Sequence, residues 1–320
     1  MKGIVLAGGT GSRLAPSTRA VCKQLLPLYD KPMIYYPVAT LMSAGIRDIL
    51  IITTPTDQGA FIRLLGDGSR FGVAFTYTVQ FAPNGGAEAF ALGADFVGLD
   101  SVALILGDNV FHGAHLGDQL KCRTDPYGGV AFVATVPDPE RYGVVTFNSY
   151  GAPVAIDEKP TKPTSSYALT GLYFYDNEVF DIAAEVAPSA RGELEITDVN
   201  KIYLAQGRLI VETLGRGTVW FDTGTFESMM SAAQFVQAVR KRQGLQVGCL
   251  EEVAWREGFI DDSQLACLAR DRAINGYGDY LSRLIEQKQS ITEVDHILVH
   301  HRTSRQARRR SGWFSTERLE

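Results

Sequence analysis

The chain is short of cysteine, has no long apolar run and carries no large excess of either charge, and each shortage removes a class of function. Its four cysteines, Cys22, Cys122, Cys249 and Cys267, are scattered, with no C-x-x-C pair and no histidine at zinc spacing. Free thiols in a reducing cytoplasm are expected. No stretch approaches the length of a transmembrane helix. The first apolar run, Ile4 to Ala7, is too short for a secretory h-region and gives way at once to Gly8-Gly9. A net charge of −5 gives the molecule no electrostatic reason to bind nucleic acid or an anionic membrane. There is no internal repeat. Basic residues that matter are therefore local.

What is present is a chain of 320 residues, 45% hydrophobic and 21% charged, enough for one large α/β domain or one domain with an appendage. From residue 1 to about 125, short apolar runs alternate with longer amphipathic ones, the pattern of βα units around a mostly parallel sheet. Strands are expected at Gly3 to Ala7, Asp48 to Thr53, Val73 to Val79 and Val102 to Leu106. Helices are expected at Tyr35 to Ala44, Asp57 to Leu65, Gly85 to Phe96 and Ala114 to Lys121. Residues 128 to 176 change to consecutive strand-like runs, a mixed or antiparallel extension of the sheet. The expected organisation is an α/β core over 1–225, a C-terminal helical cap over 226–285 and a basic tail over 286–320. In that tail Arg302, Arg305, Arg308, Arg309 and Arg310 crowd a weakly patterned stretch that reads as disordered.

The segment Leu6-Ala7-Gly8-Gly9-Thr10-Gly11-Ser12-Arg13-Leu14 carries an apolar run straight into a glycine loop that ends on an arginine. The run suits a buried parallel strand. The glycines let backbone N–H groups surround an anion, which Arg13 can grip with its planar fork. A tight turn with a surface arginine is the competing reading. The loop is not a P-loop, because Arg13 and Leu14 stand where Gly-Lys-Ser/Thr is required. It is a poor dinucleotide fingerprint too, lacking the third glycine and the acidic residue about 20 positions on.

In open sheets of this kind ligands sit beyond the carboxyl ends of strands, which sets the loop and Gly107-Asp108-Asn109 on one rim. Lys23, in Lys23-Gln24-Leu25-Leu26-Pro27, is either a solvated charge or turned to the same anion. Gln80 and the turn Pro83-Asn84-Gly85-Gly86-Ala87 bring amides to that rim, as a base-reading edge or as a plain turn with a helix cap. Lys159 is either an edge-strand charge or a ligand for a second phosphate. Asp108 and Asp222 both close apolar runs, and such a pair can hold Mg²⁺ against a polyphosphate. Together these residues suit transfer of a nucleotidyl group between phosphates. A sugar 1-phosphate is already largely a dianion at pH 7, so as nucleophile it needs orientation more than a general base.

The same segments, with Glu140-Arg141-Tyr142-Gly143-Val144-Val145, Glu158-Lys159-Pro160 and Trp220-Phe221-Asp222-Thr223-Gly224, resemble the sugar-nucleotide pyrophosphorylases, nearest the short bacterial glucose-1-phosphate thymidylyltransferases. The resemblance runs from residue 1 to about 285 and implies a nucleotide-diphospho-sugar transferase fold, a Rossmann-like α/β sheet. It implies that dTTP and glucose 1-phosphate give dTDP-glucose and pyrophosphate by in-line attack with Mg²⁺. Arg13 and Lys23 would hold the triphosphate and Asp108 and Asp222 the metal, with Lys159 completing the catalytic set. Leu6, Gly8, Gly9, Thr10, Gly11 and Gln24 would surround the nucleotide, and Gln80 with Gly85 would meet the thymine edge. Tyr142, Gly143, Glu158, Leu169, Gly171 and Arg191 would line the sugar phosphate with Lys159. The resemblance further implies a homotetramer and a regulatory nucleotide site near Gly113, His115, Glu252 and Arg256. A relative with altered base or sugar selectivity, or a weak nucleotide-binding paralogue, is the alternative.

Three departures stand out. Relatives usually carry Gly-Leu-Ala-Gln-Ala where this chain has Gly85-Gly86-Ala87-Glu88-Ala89. Loss of the leucine is expected to remove apolar contact near the base, and Glu88 to set a negative charge close to the phosphates, giving weaker or broader selection. His112 replaces a usual tyrosine near the regulatory residues.

Overall fold

The computed structural model describes residues 1–9, 11–271 and 276–288. Thr10 and the arginine-rich tail lie outside the described residues. The chain falls into two compact units, Met1–Phe259 and Ile260–Glu320.

In chain order the first unit holds β1 (Lys2–Ala7), β2 (Pro27–Leu28), β3 (Lys31–Pro32), α1 (Tyr35–Ser43), β4 (Asp48–Thr53), α2 (Gln58–Leu65) and β5 (Ala74–Val79). It continues with α3 (Glu88–Val97), β6 (Val102–Leu106), β7 (Asn109–His112), α4 (Leu116–Lys121), β8 (Gly129–Thr135), β9 (Gly143–Phe147), β10 (Pro153–Glu158) and β11 (Tyr167–Tyr175). It ends with α5 (Val179–Glu185), α6 (Ile196–Ala205), β12 (Leu209–Thr213), β13 (Val219–Asp222), α7 (Phe226–Gln243) and α8 (Leu250–Arg256). The second unit contributes α9 (Asp262–Asp271) and a helix over 277–288.

Nine strands form one sheet in the order β10-β9-β11-β6-β1-β4-β5, with β8 on the other edge of β11 and β12 beyond it. β6, β1, β4 and β5 run parallel, and β12 is parallel to β8. The long strand β11 runs antiparallel to β6, β8 and β9 and so joins the parallel half to the extension. This is the α/β sheet with mixed extension that the alternation of runs predicts. The central strands read as continuous apolar stretches because helices cover both faces. Ile4, Val5, Leu50, Ile51, Val102 and Leu104 are all buried.

One core cluster gathers Ile4, Leu50, Phe90, Leu104, Val133 and Tyr175 between the sheet and its helices. Each such side chain contributes about 1.5–3 kcal/mol by leaving water. A second gathers Leu28, Tyr36, Val110, Ala232, Val236 and Val239. It lies under α7, whose start is fixed by a capping box between Thr225 and Ser228 and whose end is Gly244 in the left-handed region. The helical cap expected over 226–285 is thus divided. α7 and α8 belong to the unit that carries the sheet, while α9 belongs to the second. Among the described residues no helix is long and apolar enough to cross a membrane, and all four cysteines are free.

Candidate active site

The site is built at the carboxyl ends of β1 and β6. These strands pair in parallel through Leu6 and Leu106, and the Gly107 N–H continues the ladder by donating to the Leu6 carbonyl at 2.9 Å. Asp108 is thereby delivered beside the glycine loop. Gly11 turns that loop with φ +63°, a conformation costly for any residue with a Cβ. A single 3₁₀ turn, Ser12–Leu14, follows. It buries Leu14 and leaves Arg13 over the site.

Lys23 is buried and forms a direct ion pair with Asp108. Asp222 arrives from far along the sequence through a small second sheet, in which β13 runs antiparallel to β7 with Asp222 opposite Asn109. Thr223 locks the pair in place: its backbone N–H and its hydroxyl both donate to the Asp108 carbonyl, at 3.1 and 2.7 Å. Asn109 donates to Asp108 Oδ1 at 3.0 Å and accepts from Trp220 Nε1 at 2.5 Å. A Cβ on Gly224 would stand 3.0 Å from Asp222 Oδ1 and 3.1 Å from Arg13 Nη2, so Arg13 and Asp222 converge over that glycine.

Burial, and then the neighbouring Asp108 carboxylate, raise the pKa of Asp222 above its ordinary value, while Lys23, Arg13 and Arg141 oppose the shift. Two acids among three cations leave the site net positive, which suits a polyphosphate; a cation held by Asp108 and Asp222 would arrive with that anion. Among the described residues no third ligand-type side chain joins them. A cation here would draw its remaining ligands from substrate and water, which is the habit of Mg²⁺.

A cavity of about 270 Å³ extends from these residues to β9, β10 and β11. Of the residues that sequence reasoning assigned, Leu6, Arg13, Asp108 and Asp222 line it. So do Tyr142, Gly143, Glu158, Lys159, Leu169 and Gly171. Lys159 holds φ +43°, a rare conformation outside glycine, and its N–H donates to the Tyr142 carbonyl at 3.0 Å. Glu158 is a hub: it accepts from Thr197 Oγ1 at 2.5 Å and Arg191 Nη2 at 3.0 Å, and Lys159 Nζ stands 3.2 Å away. Arg191 also donates to Glu195 at 2.7 Å, so it is joined to the cavity through Glu158. Tyr142 packs edge-on against Trp220, and burial, then Asp222, push its hydroxyl up to about 12.

Gly8, Gly9, Gln24, Gln80 and Gly85 sit around the loop outside that cavity. Gln24 accepts from Cys22 Sγ at 2.8 Å and flanks Gly9 and Gly107. Gln80 is buried with its carboxamide against Gly8. Gly85, at φ +112°, lies on the Leu194 backbone, with the turn clamped by Leu194 N–H to Asn84 O at 2.7 Å and Ala87 N–H to Leu194 O at 3.0 Å.

Two contacts at this turn involve the residues that depart from relatives. Glu88 is engaged by amides rather than aimed at phosphates: it accepts from Gln80 Nε2 at 2.7 Å and from Asn84 Nδ2 at 2.8 Å. Gly86 lines the cavity, and in the direction of a side chain a Cβ would stand 2.8 Å from Ile196 Cγ1. Ile196 lines the cavity beside Gly86.

Of the four residues assigned to regulation, Gly113, Glu252 and Arg256 line a second cavity of about 350 Å³, where Arg256 Nε donates to Glu252 at 2.8 Å. His112 joins them, with its ring 5.7 Å from that of Phe235. His115 lines a separate, open depression with Asp118 and Arg216.

Sequence reasoning assigned no role to Arg141, Thr197 or Trp220. Arg141 directly precedes Tyr142-Gly143, and that adjacency is its signal in the sequence.

A Rossmann-like sheet with a phosphate-type glycine loop, paired aspartates and a second cationic pocket defines a nucleotidyl-transfer site. The nucleotidyl transferase family model matches residues 2–239, and the chain belongs to that family. It is 56% identical over 288 residues to a glucose-1-phosphate thymidylyltransferase of Mycolicibacterium smegmatis, spanning 90% of this chain and 100% of that protein. With the enzyme of the same name from Neisseria meningitidis serogroup A it shares 55% over 288 residues, spanning 90% and 100%. A Bacillus anthracis structure assigned to that enzyme, in complex with sucrose, superposes with TM-score 0.68 at 45% identity, over 73% of this chain and 94% of the other. A UDP-glucose pyrophosphorylase complexed with UDP-glucose shares the fold, with TM-score 0.64 at 24% identity.

Proposed function

We propose that the chain is a glucose-1-phosphate thymidylyltransferase, converting dTTP and α-D-glucose 1-phosphate to dTDP-glucose and pyrophosphate. The observation that carries this reading is that one cavity is lined both by Arg13 with Asp108 and Asp222 and by Glu158 with Lys159. A triphosphate and a second phosphate can thus share one enclosure.

In this reading Lys159, aided by Arg191 through Glu158, orients the sugar phosphate. One of its oxygens attacks the α-phosphorus of dTTP. The bond from that phosphorus to the β-phosphate oxygen breaks, and pyrophosphate leaves with the electron pair. No proton transfer is required, since the attacking phosphate is already a dianion near pH 7. Arg13 and Lys23 hold the triphosphate and offset the charge that builds on the leaving group. Asp108 and Asp222 would hold Mg²⁺, which supplies charge neutralisation at the phosphates. Gln80 with Gly85 reads the base, Gly8, Gly9 and Gly11 cradle the phosphates, and Tyr142, Gly143, Leu169 and Gly171 shape the sugar pocket.

We further propose a cytoplasmic homotetramer, with a regulatory nucleotide at the cavity of Gly113, Glu252 and Arg256; that cavity's Arg256 supports an anionic ligand. Pyrophosphate release, measured across the nucleoside triphosphates with glucose 1-phosphate and Mg²⁺, tests the main reading. Fastest release with dTTP is expected. No release with any pair would leave a nucleotide-binding paralogue instead.

A further inference from the structure

Cys22 has no part in the chemistry described so far, yet it caps the 3₁₀ turn Lys23–Leu25, which carries both Lys23 and Gln24. The thiol is buried, and burial pushes its pKa up to about 11, so it keeps its proton near neutral pH. The backbone N–H groups of Gln24 and Leu25 meet the sulfur. Its single hydrogen has two acceptors in reach, Gln24 Oε1 at 2.8 Å and the Ala7 carbonyl at 3.7 Å, and the shorter contact is to the carboxamide. An amide nitrogen in place of that oxygen would forfeit the bond, because sulfur is a weak acceptor and here already serves the backbone. The orientation of the Gln24 carboxamide follows: its oxygen faces Cys22 and its nitrogen the other way.

The other way leads to the glycine loop. Gln24 lies between the segments that follow β1 and β6, with Cγ 3.1 Å from the place of a Cβ on Gly107 and Nε2 4.0 Å from that of a Cβ on Gly9. The residue is only 4% exposed. Among the described residues Nε2 donates to none, and it is not one of the buried unpartnered atoms, so a ligand can reach it. Donor groups are thus held at the loop with nothing to bond.

We propose that Cys22 is a positioning residue for nucleotide binding: its thiol holds Gln24 with the amide N–H groups turned to the glycine loop, where they donate to an oxygen of the nucleotide. This rests on the reading above that a nucleotide occupies the loop. Among the described residues no other donor reaches the Gln24 oxygen, so without the thiol the amide is free to turn. Its oxygen would then face the acceptor oxygens of the ligand, and two acceptors in opposition leave both unsatisfied.

The test is calorimetric binding of dTTP with Mg²⁺ to the full chain and to its Cys22→Ser, Cys22→Ala and Gln24→Ala variants, with melting curves and pyrophosphate-release kinetics alongside. Cys22→Ala should weaken dTTP binding by about three- to tenfold, the size of one lost hydrogen bond, and leave KM for glucose 1-phosphate unchanged. Cys22→Ser keeps a donor and should bind dTTP within about twofold of the parent. In a Gln24→Ala background, Cys22→Ala should have no further effect on dTTP affinity. A Cys22 that merely packs would instead give serine and alanine variants equally weakened in step with Tm, with the alanine effect persisting in the Gln24→Ala background. That pattern overturns the proposal, as does a Gln24→Ala chain that binds dTTP as tightly as the parent. The predicted order of affinities without pyrophosphate release from any variant would defeat the proposed reaction and leave the positioning role standing.

Discussion

Arg141 Nη2 stands 3.5 Å from Asp222 Oδ2, sealed from solvent and without a hydrogen-bond partner. Its other terminal nitrogen donates to Asp138 at 2.7 Å, which fixes the guanidinium plane beside Tyr142. A donor held in place with nothing to bond is costly unless a ligand completes it. Arg141 lines the cavity beside Asp222, so a phosphate oxygen at the reacting centre is the ligand expected there. Arg141→Ala is expected to lower kcat by about 10²-fold, the usual effect of removing one preorganised donor. Arg141→Lys should recover only part of it, because an ammonium lacks the planar fork. Steady-state kinetics with dTTP and glucose 1-phosphate check both.

Glu158 gathers Thr197, Arg191 and Lys159 at the sugar-phosphate end of the cavity. The pairs with Arg191 and Lys159 are partly exposed and contribute little to stability by themselves. The consequence is functional. Glu158→Ala should raise KM for glucose 1-phosphate by about tenfold or more, through lost charged hydrogen bonds, and leave KM for dTTP unchanged. Equal effects on both substrates would show that the two pockets are not separate.

Gly86 and Ile196 are fitted to each other, with 2.8 Å between the place of a Cβ and Ile196 Cγ1. Restoring the leucine usual in relatives should therefore overpack this chain rather than improve it. Gly86→Leu is expected to cost about 1–3 kcal/mol in urea unfolding, and Ile196→Ala in the same chain to return part of that.

His112 occupies a partly buried place beside Phe235, where burial lowers its pKa below the ordinary 6.5 and Glu252 opposes the shift. The folded state thus prefers the neutral ring. Its contribution to stability is complete above pH 6.5 and is lost as pH falls from there through the lowered folded value. A His112→Tyr variant should lack this component, so its Tm should fall less than the parent's between pH 7.5 and pH 5. Parallel melting curves for the two proteins would not be consistent with the lowered value.

Much of the scaffold was legible in the sequence because β1, β4 and β6 are buried on both faces and read as uninterrupted apolar runs. The glycine loop and Asp108 followed from strand ends. The pairing of β7 with β13 was not legible: each has four residues, and their register depends on contacts between positions some hundred residues apart. Arg141 was invisible as a site residue because its partner Asp222 arrives through that pairing. The partners of Glu88 were not legible for a similar reason. Charge can be read from a sequence, but the two amides that absorb it are set by the fold of the turn at Asn84 and Gly85. Ile196, which fills the space beside Gly86, comes from a helix more than a hundred residues later.

The central claim is direct displacement at the α-phosphorus of dTTP by the sugar phosphate, with no covalent enzyme intermediate. It is tested most directly by supplying a single diastereomer of α-thio-dTTP with glucose 1-phosphate and Mg²⁺, then determining the configuration at phosphorus in the product. One in-line attack predicts dTDP-glucose analogue with inverted configuration, formed in equal amount with pyrophosphate. Net retention, or pyrophosphate released without sugar-nucleotide product, would contradict it.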